Sequence, residues 1–133
     1  MASIFTKIVK GEIPCYRVAE SDDCLAFLDI SPLKKGHTLV IPKQEIDYLF
    51  DIDDESLSKM MVFAKNVSRA IKKVIPCTRI GIAVVGLEVP HAHMHLIPID
   101  EIADMDFGRA KLSLHDEEMQ EIAQAVSLAY QQN

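Results

Sequence analysis

Three of the chain's five histidines stand at alternate positions in Pro90-His91-Ala92-His93-Met94-His95-Leu96-Ile97-Pro98. Polar and apolar residues alternate and proline bounds the run on both sides, the pattern of a half-buried β-strand over 91–99. Successive strand side chains leave opposite faces. His91, His93 and His95 would therefore share one face at intervals of about 7 Å, with Ala92, Met94 and Leu96 facing the core. Such a row suits metal ligation, proton transfer near neutral pH, or attack by a neutral imidazole on an electrophile such as phosphorus. A strand that merely carries histidine on its polar face is the plain alternative. Spacing alone leaves these open, because His-x-His on a strand is also a zinc geometry, with His37 or Glu45 available as a further ligand.

The elements that must position these residues can be read in order. Ile4, Phe5 and Ile8 make a short helical stripe over 3–10, ended by Gly11. Tyr16–Glu20 and Cys24–Asp29 read as strands joined by Ser21-Asp22-Asp23, and His37–Pro42 as a third strand. Asp29 ends its strand before Ser31-Pro32, where a carboxylate would cap a turn. Residues 54–75 carry Leu57, Met60, Met61, Ala64, Val67, Ile71, Val74 and Ile75 at helical spacing. Asp53 or Asp54 is the N-cap, Lys72-Lys73 suit the C-terminal end, and Pro76 stops the helix. The methionines are expected to face the core. Arg79–Val85 is the fourth strand, residues 100–112 a mixed loop, and Ser113–Gln132 a second amphipathic helix with a capping-box-like start at Ser113 and Asp116. Short consecutive strands with a long crossover helix predict an α+β fold: a five-stranded, mainly antiparallel sheet with a long central helix and a C-terminal helix.

With 133 residues the chain fits one domain, 1–133, with a C-terminal helical extension over about 113–132. A hydrophobic content of 49% and a charged content of 26% are those of a globular protein. The net charge of −6 argues against nonspecific nucleic-acid binding, while a small phosphate ligand needs only local positive potential. Cys15, Cys24 and Cys77 are odd in number and widely spaced, and read as buried or free thiols in a reducing compartment. No apolar run opens the chain or approaches a membrane span, so a cytoplasmic location with no membrane partner is expected.

The triad run resembles the signature of the histidine triad (HIT) family of nucleotide hydrolases and transferases, in its bacterial nucleotide-binding form. Ile4–Ile8, Glu12-Ile13-Pro14, Cys24–Pro32 and Gly36–Lys43 are similar to further family segments, in family order. The resemblance implies a nucleotidyl hydrolase acting at the α-phosphate of nucleoside phosphoramidates or (di)nucleoside polyphosphates, with a purine nucleotide or conjugate as ligand and no cofactor. By this likeness His93 is the nucleophile that forms a nucleotidyl-histidine, His91 and His95 hold phosphate oxygens or the departing group, and His37 assists from the neighbouring strand. Asp29 accepts the ribose hydroxyls, and Phe5, Ile8, Phe27, Leu28 and Ile30 surround base and sugar. Two chains are expected to join their sheets as a homodimer.

The chain also departs from that pattern. Some members hold a structural zinc through cysteines around the phenylalanine matching Phe5; Ser3 and Thr6 stand here, so no such zinc is expected. A further histidine common after Ile-Pro-Lys-x is Glu45. The loop before the triad shrinks to Gly86-Leu87-Glu88-Val89, placing Glu88 where relatives have a phosphate-facing hydroxyl. An anion beside phosphate is unfavourable unless paired or turned to solvent. Beside the hydrolase stand two other readings: a strand-borne histidine metal site, and a nucleotide-binding module with little turnover.

Overall fold

The computed structural model describes residues 2–133. Five strands form one sheet: β1 (Arg17–Glu20), β2 (Cys24–Leu28), β3 (Thr38–Pro42), β4 (Arg79–Ala83) and β5 (Met94–Ile99). Their spatial order is β1-β2-β3-β5-β4, with every neighbouring pair antiparallel. The helices are α1 (Ile4–Val9), α2 (Asp54–Val74) and α3 (Asp116–Gln131). The α+β expectation is met.

All five residues of β2 are buried, which requires cover on both faces of the sheet. Cys24, Ala26 and Leu28 join Val40, Met94 and Leu96 in a core beneath α2 and α3. Leu25 and Phe27 join Leu39 and Ile41 on the opposite face, under Phe5 and Ile8 of α1. On that second face the pairings Phe27↔Leu39 and Leu39↔His95 place one triad histidine in line with the apolar cluster.

α2 starts where Asp53 accepts the Ser56 N–H at 2.7 Å. It buries Met60, Phe63, Ala64, Val67, Ala70 and Ile71. Met61 is 49% exposed, correcting the expectation that the methionines face the core: it neighbours Met60 and so lies about 100° round the helix. The capping box expected at Ser113 does not form. The Leu112 N–H donates to the Pro32 carbonyl at 2.8 Å, holding this stretch against the 29–33 loop. α3 begins only at Asp116, whose carboxylate accepts hydrogen bonds from the Tyr16 hydroxyl at 2.5 Å and the Gln120 amide at 2.9 Å.

The strand expected over 91–99 starts three residues late. Its ladder with β3 ends at Val40↔Met94. Beyond that pair the Ala92 N–H donates to Ile46 O at 2.7 Å, and Pro42 O accepts from the His91 ring. Ala92, Met94 and Leu96 are nevertheless buried as the alternation predicts. His91 and His93 precede the strand, and the His93 and His95 rings lie 5.0 Å apart, closer than the expected interval.

Candidate active site

The histidines are best described through their protons, because backbone groups with fixed roles settle each tautomer. A carbonyl can only accept, so the 2.7 Å contact from His93 Nδ1 to His91 O puts the His93 proton on Nδ1. In the neutral ring Nε2 is then a bare lone pair, and it has no hydrogen-bond partner among the described residues. An amide N–H can only donate, so His37 Nδ1, which accepts from Leu33 N at 3.0 Å, is bare. His37 Nε2 carries the proton and donates to His95 Nδ1 at 2.9 Å. The proton of neutral His95 therefore lies on Nε2. His91 Nε2 donates to Pro42 O at 2.8 Å, and Nδ1 accepts from the Ser3 hydroxyl at 2.8 Å.

The rings are packed as well as bonded. Phe5 meets His93 edge-on at 5.0 Å and His91 at 5.8 Å, and touches Phe27 at 5.6 Å. His95 lies 5.0 Å from His93 on another side. Burial keeps His37 and His95 neutral: it pushes His37 down to about 3, helped by His95 and Lys111, and His95 down to about 4, helped by His93. His91 is also lowered by burial, against the pull of the Pro42 carbonyl and Glu45.

These depressions fix a pH dependence. A histidine held below its unfolded value near 6.5 binds fewer protons folded than unfolded, so stability is full above that pH and is lost as pH falls towards the folded pKa. The urea midpoint should drop from pH 7 towards pH 4, and His37→Gln should make the drop shallower. An equal slope in the variant would show that His37 is not neutralised by folding.

The HIT domain family model matches residues 10–102. The chain belongs to the HIT family. An uncharacterised HIT-like protein of Borreliella burgdorferi is 38% identical over 94% of this chain and 96% of its own. An adenosine 5′-monophosphoramidase of Schizosaccharomyces pombe is 36% identical over 96% of this chain and 97% of its own. The crystal structure of a HIT-like protein from Bartonella henselae superposes with a TM-score of 0.83 at 33% identity, covering 96% of this chain and 95% of that one.

In this HIT protein the residues singled out by sequence are only partly brought together. His93, His95 and His37 form a contiguous cluster, with Asp29 Oδ2 3.6 Å from His37 Nε2. Asp29 Oδ1 accepts the Ser31 N–H at 2.8 Å, so one oxygen caps the turn while the other faces the histidines. His91 is fully buried with both ring nitrogens engaged internally, by the Ser3 hydroxyl and Pro42 O, which leaves it no nitrogen for a phosphate oxygen. Phe5, Ile8 and Phe27 share one apolar cluster beside the site. Leu28 points through the sheet into the helix-side core, because adjacent strand residues face opposite ways. Ile30 is 77% exposed and lines a groove of about 810 Å³ between β1 and α3 that contains no histidine. Glu88 is exposed and close enough to Asp29 to raise its pKa, although burial is the larger cause there.

Asp29, His37 and His95 also bring ligand atoms within 4.8 Å of one another, as a cation site would. The proton arrangement opposes this use. His37 Nε2 carries the proton that the Leu33 amide excludes from Nδ1, and that proton already bonds His95. Ligation would need a flipped ring or an imidazolate. His37 is thus poorly placed as a further ligand for the strand-borne metal reading, and Glu45, the other candidate, has its Oε1 on Ser3 N–H and the Thr6 hydroxyl.

Phe107 was not foreseen. Its ring packs at 4.8 Å on His95 and 6.5 Å from His37. The segment carrying it is tied down by Arg109 on Ala103 O at 2.8 Å and by Lys111 Nζ on Phe107 O at 2.6 Å. An aromatic residue in an aperiodic loop gives no sequence signal of the histidine it will cover.

Proposed function

We propose that this HIT protein is a nucleotidyl hydrolase that cleaves nucleoside phosphoramidates or (di)nucleoside polyphosphates at the α-phosphorus through a nucleotidyl-His93 intermediate. One observation carries the reading: the His93 proton is committed to His91 O, which leaves Nε2 as a free nucleophile. That lone pair attacks phosphorus; the new N–P bond forms as the P–N or P–O bond to the leaving group breaks, and the leaving group takes the electron pair. An amine leaving group takes up a proton from solvent as it departs, whereas a polyphosphate leaves as the anion. Water then attacks the same phosphorus, the N–P bond returns its electrons to His93 Nε2, and the nucleoside monophosphate is released with a proton lost to solvent. His95, whose ring lies 5.0 Å from that of His93 and whose proton is on Nε2, is the donor assigned to the oxygens on which charge grows. Adenosine 5′-phosphoramidate, suggested by the activity named for the Schizosaccharomyces pombe relative, is the first substrate to assay. Incubation should release AMP and ammonia, and an alkaline quench should retain AMP on the protein, shown by a mass shift. Absence of both release and adduct would sink the proposal.

The reading extends to assembly. β4 is an edge strand, and Ile82, Val84 and Val85 in or beside it are exposed. An unprotected apolar edge favours pairing with another strand, so two copies are proposed to join there. Sedimentation at micromolar concentration should give twice the chain mass, and Ile82→Lys should shift it towards the monomer; a monomeric wild type would refute the dimer. Three unpaired thiols agree with a cytoplasmic setting, and among the described residues no helix is long and apolar enough to cross a membrane.

A further inference from the structure

Glu45 makes no direct bond to any histidine, yet it ends a chain of bonds that reaches the proposed nucleophile. Its Oε1 accepts two hydrogens, from the Ser3 backbone N–H and from the Thr6 hydroxyl, both at 2.6 Å. Ser3 is the N-cap of α1: its Oγ accepts the Thr6 N–H at 3.0 Å and donates its own proton to His91 Nδ1 at 2.8 Å. His91 is fixed from its other nitrogen by Pro42 O, and its backbone carbonyl holds the His93 proton. The same helix carries Phe5, whose ring packs on both His91 and His93. α1 is only six residues long, too short to persist by its own propensity, so its position depends on these ties and on the burial of Phe5 and Ile8.

We propose that Glu45 is a positioning residue that clamps the N-terminal helix onto His91, and thereby sets the proton on His93 Nδ1 and the Phe5 ring against it. The anchor lies 39 residues from Thr6 in sequence, so it joins the lid to the segment leaving β3. The two donors, the Thr6 hydroxyl first, hold the Glu45 carboxyl down at about 2, which keeps it an acceptor across the working range. Bonds of this kind matter by geometry: Glu45 is exposed, so its removal should loosen the clamp and leave the core of the fold intact.

The test needs a readout independent of turnover, because the consequence for catalysis rests on the hydrolase reading. In the wild-type full chain, long-range proton–nitrogen NMR should show His93 as the Nδ1–H tautomer and His91 as the Nε2–H tautomer. In Glu45→Ala, His93 should become a mixture of tautomers, the Thr6, Lys7 and Ile8 amides should exchange at least about tenfold faster, and the urea midpoint should stay near that of the wild type. With adenosine 5′-phosphoramidate, kcat should fall about tenfold. Glu45→Gln, whose amide oxygen can accept the same two hydrogens, should restore all of these. Unchanged tautomers and α1 exchange in Glu45→Ala would overturn the proposal. So would a general acceleration of exchange with a lowered urea midpoint, or a Gln variant as loose as the Ala one. If wild type turns over no phosphoramidate, the hydrolase reading fails, while the NMR and exchange results still decide the role of Glu45.

Discussion

His93→Ala is expected to lower turnover of adenosine 5′-phosphoramidate by about 10³-fold or more while AMP still binds, because on the hydrolase reading it removes the atom that forms the covalent bond. The alkaline quench that traps AMP on the wild-type chain should trap none on this variant. Substitutions elsewhere in the cluster should be graded. His95→Ala removes the neighbouring Nε2–H, a loss on the scale of one transition-state donor, about 10²–10³-fold. His37→Ala acts one step further out, through the bond that fixes the His95 proton, and should cost less. His91→Ala retains the backbone carbonyl that orients His93, so its effect comes through the looser backbone and helix α1. A His93→Ala protein with near-normal turnover would remove the nucleophile assignment and the two-step mechanism with it.

What the sequence could disclose was set by how local each determinant is. Alternation over 91–97 identified Ala92, Met94 and Leu96 as core because burial on one face of an extended segment needs only period two. The same period, applied to β2, separates Leu28 from Phe27; only the likeness to the family placed both in one wall. The late start of β5 was not legible, since it depends on Ile46 and Pro42, about 46 to 50 residues away, taking the bonds of Ala92 and His91. The delayed α3 likewise follows from the Leu112–Pro32 bond, which no local propensity encodes. The family likeness brought His37 to the triad, yet the proton order rests on the Leu33 amide and the His91 carbonyl, backbone groups that carry no residue signature. Glu45 stood out as a departure from the family pattern, whereas its connection through Ser3 and Thr6 required the folded chain.

The second large effect should fall on binding. Asp29 divides its carboxylate: Oδ1 caps the turn at Ser31, and Oδ2 is directed towards the histidine cluster, 3.6 Å from a His37 proton already given to His95. A carboxylate oxygen with spare lone pairs at the rim of the Phe5–Phe27 cluster is suited to the hydroxyls of a ribose whose base lies against those rings. On the nucleotide reading, Asp29→Ala should weaken binding of AMP by roughly 1.5–3 kcal/mol, the scale of a hydrogen bond to a charged group, or roughly 10–150-fold in Kd. Binding of the 2′,3′-dideoxy analogue should change by less than about threefold. Asp29→Asn separates the two oxygens' duties: its amide oxygen still accepts the Ser31 N–H, so the turn persists while the charged acceptor is lost. Calorimetric titration of both ligands against wild type and both variants decides the point. AMP and its dideoxy form weakened equally by Asp29→Ala, together with wild-type behaviour of Asp29→Asn, would show that Asp29 only holds the turn and that the ribose is bound elsewhere.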